Sequence, residues 1–121
     1  MRLVCLLIIF LLVAACNSDK VPGDVLPPEK MIGVVYDLIK ADEWVNGYLL
    51  SDTLEKPKTI FIRTYEQVFA IHKVDKEDFY RSFRFYQQHP NINKVLFDSI
   101  HSLANRQQNW HYQEKMAPKP Q

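Results

Sequence analysis

The chain predicts an all-α domain: a small bundle of about four helices after residue 26. Three observations carry that expectation. Apolar residues recur at three- and four-residue steps, prolines and acidic caps stand where helices would open, and no segment alternates with period two over a strand length. At 121 residues, 47% apolar and 24% charged, the chain has single-domain size and ordinary globular composition. Those figures exclude a disordered tail, a collagen-like repeat and a polytopic membrane protein. Fifteen Lys and Arg against fourteen Asp and Glu leave no clustered positive charge of the kind that neutralises nucleic-acid phosphates, so no nucleic-acid partner is expected.

Residues 1–16, MRLVCLLIIFLLVAAC, read as an address. Arg2 is a short positive region, and the apolar stretch Leu3 to Leu12 has the length of a signal-peptide core. It falls short of the roughly 20 apolar residues of a membrane span. The small residues Val13, Ala14 and Ala15 before Cys16 resemble a bacterial lipobox. The resemblance implies that Cys16 takes a diacylglycerol on its thiol and becomes the first residue after cleavage. Residues 1–15 then form the signal peptide, and 106 of the 121 residues remain. Cys5 leaves with the apolar segment and Cys16 is capped, so neither a free thiol nor a disulfide is expected. Two or three acyl chains give stable attachment, where one would be marginal. The expected location is the outer membrane at its periplasmic face, since Asn17 and not Asp follows Cys16; the inner membrane and the cell surface stay open. Residues 16–26 read as lipidated Cys and flexible tether, polar and broken by Pro22 and Gly23.

The helical body is expected over 27–112 and a frayed tail over 113–121. Pro27-Pro28-Glu29 opens the first helix, with proline in the first turn and an acid at the positive end of the dipole. Met31, Val34, Val35, Leu38, Ala41, Val45 and Leu49 then lay one apolar stripe over about 28–49, with Gly47 weakening the last turn. After a loop from Ser51 to Pro57, a second helix over about 58–72 carries Phe61, Ile62, Tyr65, Val68 and Phe69 on one face. Asp75 is the expected N-cap of the third helix, with Val74 and Phe79 as the hydrophobic staple across it. Pro90 disfavours helix at His89 and opens the fourth helix, whose stripe is Ile92, Leu96, Ile100, Leu103 and Trp110.

The first helix and the stretch YEQVFAIHKVDKEDFYRSFRFYQQHPNINKVLFDSI, taken with the lipobox, resemble the family catalogued as domain of unknown function 4296, small lipoproteins of Bacteroidetes-type bacteria. The matching positions are Pro28, Lys30, Met31, Asp37, Ala41 and Asp42, then Phe69, His72, Phe79, Ser82, Tyr86, His89, Pro90 and Asp98, over about residues 24–105. The Tyr86-His89-Pro90 stretch is the most specific part. The resemblance implies a helical fold and an envelope location, and it implies no activity.

Among candidate site residues, Asp42 falls inside the apolar stripe, where a bare carboxylate is costly. Three readings stand: an ion pair with Arg63, Arg81 or Arg84 or a hydrogen bond from a tyrosine; a polar anchor in a binding groove; or a frayed helix end. Tyr86 and His89 are further candidates for a buried polar or binding role. Phe79, Phe83 and Tyr86 share a core face, while Tyr80 and Phe85 project to opposite flanks and are the candidate interaction surface. His72, His89, His101 and His111 lack metal-ligand spacing, Ser82 has no Gly-flanked elbow, and no Gly-rich phosphate loop exists. No metal, no cofactor beyond the covalent lipid, and no enzymatic activity are expected. The expected role is a membrane-tethered module that binds another envelope protein; the alternative is a chaperone-like module holding exported chains.

Overall fold

Proline and aspartate decide where the helices begin. The computed structural model describes residues 20–51 and 54–116, and contains four α-helices among them: α1 (Pro28–Trp44), α2 (Pro57–His72), α3 (Lys76–Gln88) and α4 (Pro90–Met116). Three of the four start on a proline, whose fixed φ suits the first helical position and whose missing N–H would have no intrahelical partner there. The fourth, α3, starts behind Asp75, whose carboxylate accepts from the Glu77 and Asp78 amides at 2.8 and 3.4 Å. No strand occurs among the described residues, so the expected all-α class holds.

Two helix ends depart from regular geometry. The turn after Trp44 widens into a π segment, Val45–Leu49, closed by a bond of 3.1 Å from the Leu50 amide to the Val45 carbonyl. Asn46 Nδ2 donates at 2.8 Å to the Asp42 carbonyl, the acceptor an α-helix would offer the Asn46 amide. Gly47 sits in this segment, where its weakening of the last turn was expected. At the end of α2, Lys73 takes a left-handed conformation with φ 52°. The Lys73 amide bonds to the Ala70 carbonyl at 3.1 Å and the Val74 amide to the Phe69 carbonyl at 3.0 Å, which is the Schellman pattern. Val74 and Phe79 are both buried on either side of Asp75, as a staple requires.

Helix α1 is the centre of the bundle, with α2 and α4 packed along it and α3 packed against the start of α4. It runs alongside α4 in the same direction: Ile32 shares a groove with Val95, and Glu43 one with His111 further up. Met31, Val34, Val35 and Leu38 from α1 meet Val68 and Phe69 from α2, Phe79 and Tyr86 from α3, and Leu96 and Ile100 from α4. Phe69 and Phe79 lie 5.1 Å apart at their centroids, and Phe79 and Phe83 stack at 5.8 Å.

Four expectations need correction. In α2 the buried residue is Ile60, and Ile62 is 44% exposed, because the inward face is centred on the Ile60, Thr64, Val68 ladder. Trp110 is 66% exposed. At 27 residues α4 is about 40 Å long, and its residues 105–116 are all exposed, with Trp110 turned to a side that no other helix covers. That helix continues to Met116, into the stretch read as frayed tail, and 117–121 lie outside the described residues.

The fourth correction concerns the tether. Residues 21–26 are a strap laid along α3. Val25 is buried, and Val21 and Leu26 pack partly buried on the core. Ser82 Oγ accepts from the Leu26 amide at 2.9 Å, and the Tyr86 hydroxyl donates to the Leu26 carbonyl at 2.9 Å. The Arg81 guanidinium donates to the Asp24 carbonyl at 3.0 and 3.3 Å. Polar composition suggested coil; the backbone of the segment is instead satisfied by α3 side chains.

Candidate functional site

Asp42 resolves to one of its expected partners. The Tyr65 hydroxyl donates to its Oδ1 at 2.7 Å across the α1–α2 contact. Partial burial, then the hydrogen bond and charge of Asp42, push the Tyr65 hydroxyl up from an ordinary 10 to about 12. Arg63 is engaged elsewhere, with Glu55 at 3.0 and 3.1 Å, and Arg81 with Asp78 at 2.6 Å. The pair holds the top of α1 to α2.

Tyr86 is fully buried, and burial raises its hydroxyl above the ordinary range, with a smaller contribution from the Glu29 charge. Its partner is the strap carbonyl of Leu26. Ser82, also fully buried, returns its hydroxyl hydrogen to the Asp78 carbonyl at 2.7 Å while accepting from Leu26. His89 ends α3: its amide bonds to the Tyr86 carbonyl at 3.0 Å and its Nδ1 meets the Phe85 carbonyl at 2.7 Å. Because a carbonyl can only accept, Nδ1 carries the hydrogen. The imidazole stacks on the Phe85 ring at 4.0 Å, which covers one face of that flank. Tyr80 lies edge-on to Phe69 and Phe79 and is 40% exposed. Asp42, in the last turn of α1, and Tyr86, bonded to Leu26 two residues before α1 begins, sit at opposite ends of that helix and form no common site.

Sequence reasoning missed the pairing of Asp37 with His72, whose Nε2 lies 2.6 Å from Oδ2. His72 was expected only to end α2. A Cβ on Gly33 would stand 3.2 Å from the His72 ring, so the glycine is where the imidazole enters against α1. The available signal was a glycine inside a helix, where it costs about 1 kcal/mol, with an acid four residues on.

Two apolar grooves meet towards the upper end of α1. A groove of about 580 Å³ between α1 and α4 is lined by Tyr36, Ile39, Phe97, Ile100 and Ala104. A second, of about 550 Å³ between α1 and α2, is lined by Trp44, Tyr48, Val68 and Ile71. Trp44 and Tyr48 are both more than half exposed, with ring centroids 4.8 Å apart, and Ile71 is 74% exposed. Lys40 and Glu43 line both grooves, and the Lys40 ammonium sits 5.5 Å over the Tyr36 ring. The apolar periodicity of α1 concealed this surface, because Ile39, Trp44 and Tyr48 fall off the inward stripe and attract notice only once neighbours fail to cover them.

Among the described residues no group of three or more His, Cys, Asp or Glu is placed to hold a metal. No described helix is long and apolar enough to cross a membrane. Val13, Ala14, Ala15 and Cys16 lie outside the described residues.

Strap, central α1 and three helices around it define a small all-α domain. The chain belongs to the family described as Domain of unknown function (DUF4296), whose match covers residues 22–109, from the strap to near the end of α4. No curated protein and no solved structure matches it.

Proposed function

We propose that this is a lipid-anchored envelope protein whose helical body binds another envelope protein and catalyses no reaction. The observation that carries the binding reading is the pair of apolar grooves meeting at Lys40 and Glu43. Exposed Trp and Tyr beside aliphatic clefts are the residue types that anchor protein interfaces. A rim of one cation and one anion asks for a partner with an apolar ridge flanked by complementary charges. The anchor reading rests on the ordered series of Arg2, apolar stretch, Val13, Ala14, Ala15 and Cys16. Asn17 after Cys16 favours the periplasmic face of the outer membrane over the inner membrane or the cell surface. A second reading, a chaperone-like module holding exported chains, draws on the same grooves, which are open in the monomer.

Photocrosslinking in intact cells separates the two. A photoreactive residue at Trp44 or Phe97, in the full-length protein, gives one dominant crosslinked partner if the first reading holds. A smear of many exported chains supports the second. Crosslinking confined to Tyr80, with none at Trp44 or Phe97, removes the grooves as the binding surface.

A further inference from the structure

We infer that the docked strap orients the body on the membrane, with the outer face of α3 against the lipid leaflet and the upper end of α1 away from it. The inference rests on the reading that Cys16 is acylated, and adds which surface the lipid meets. Its carrier is the length of chain between the anchor and the docked body. The strap is fixed to α3 from Val21 to Leu26, so only the stretch from Cys16 to Lys20 is left to span the gap. The five residue steps from Cys16 to Val21 reach no more than about 18 Å. A body of this size has a radius of gyration of about 13 Å. A lead that short does not let it turn over, so the point where the chain leaves the body stays on the lipid side. Were the strap free to Leu26, the lead would grow to about 36 Å and every face could reach the leaflet.

The exposed side of α3 carries charges of both signs. Lys76, Arg81 and Arg84 stand on the outer side of α3 against Glu77 and Asp78, so charge neither drives the face off an anionic leaflet nor holds it there strongly. The tether decides. Glu43, by contrast, lies fifteen residues into α1 from Pro28, about 22 Å up the helix axis from the strap.

The test uses the full chain, matured in a bacterial host and reconstituted into phosphatidylcholine vesicles carrying a nickel-chelating lipid. Maturation removes Cys5 and blocks Cys16, so a single nitroxide can be placed at Arg84→Cys or Glu43→Cys. The expected result is a several-fold higher collision rate with the chelated nickel at position 84 than at 43. In a Ser82→Ala, Tyr86→Phe background, with helicity confirmed by circular dichroism, the strap loosens and that contrast shrinks towards one. Vesicle-bound protein with equal rates at both positions overturns the orientation while leaving the anchor intact. A contrast that survives strap release unchanged overturns the strap as its cause. Protein that does not float with the vesicles overturns the anchor, and the orientation with it.

Discussion

The Asp37 carboxylate meets the His72 imidazole at 2.6 Å, and that ring lies where a side chain on Gly33 would begin. One helix thus supplies both the space and the partner for a residue at the end of another. Gly33→Ala removes a helix-interior glycine, worth about 1 kcal/mol. It also pushes a methyl to 3.2 Å from the ring and displaces it from Asp37. The expected result is that Gly33→Ala gains nothing or loses stability in the native background, and gains about 1 kcal/mol in His72→Ala. Urea unfolding of the four proteins of this cycle measures it. Equal gains in both backgrounds would show that the ring does not depend on the glycine.

Tyr65 sets a limit at high pH. Its hydroxyl is raised from 10 to about 12 in the folded protein, so between those values the unfolded chain loses a proton that the native state keeps. Fewer protons on the unfolded state make stability fall as pH rises; the contribution is complete below about pH 10 and is lost by about pH 12. Tyr65→Phe removes this part of the decline. Denaturation midpoints from pH 8 to 11.5 should therefore fall more steeply for the native chain than for the variant. Parallel declines would contradict a raised Tyr65 hydroxyl in the folded protein.

Lys73 occupies the left-handed position of the α2 cap without being glycine. A side chain there costs about 1 kcal/mol. Lys73→Gly should raise stability by about 0.5–1 kcal/mol with no change in helix content. Thermal and denaturant unfolding report it directly. A loss of stability would mean that the Lys73 side chain contributes more than the backbone strain costs.

The strap has its own readout. Ser82→Ala leaves the Leu26 amide without its acceptor, and Tyr86→Phe removes the donor to the Leu26 carbonyl. Each should cost about 1–2 kcal/mol. Hydrogen exchange at Leu26 should accelerate at least tenfold in Ser82→Ala, while amides in the middle of α1 slow or quicken only with global stability. Unchanged exchange at Leu26 would mean that the Ser82 hydroxyl does not hold the strap.

The helices were legible in the sequence because their signals are local. Pro28, Asp75 and Pro90 each mark a boundary within a few residues of themselves, and the stripe from Met31 to Val45 needs only period 3.6 to be seen. What was not legible depends on residues brought together from far apart. The strap was read as tether because Val21, Val25 and Leu26 stand among polar and turn residues without a helical period, and the partners Ser82 and Tyr86 lie more than fifty positions away. Trp110 was assigned to the core because its spacing continues the α4 stripe; spacing does not say whether another helix covers that side. Asp42 was the opposite case. Its place inside an apolar stripe demanded a partner, and a tyrosine was among those named, but which tyrosine required the register of α2 against α1. The exposed grooves were hidden for the same reason, since an uncovered apolar side chain looks like a covered one until its neighbours are placed.

Everything proposed about place and orientation turns on the chemistry of a single sulfur. Metabolic labelling of cells with a clickable palmitate analogue, comparing the native chain with Cys16→Ser, tests it most directly. The account predicts a labelled, processed native protein in the membrane fraction, and an unlabelled Cys16→Ser variant that is not cleaved at that site. A native protein that carries no label, or a Cys16→Ser variant that is processed and membrane-bound as before, would contradict it.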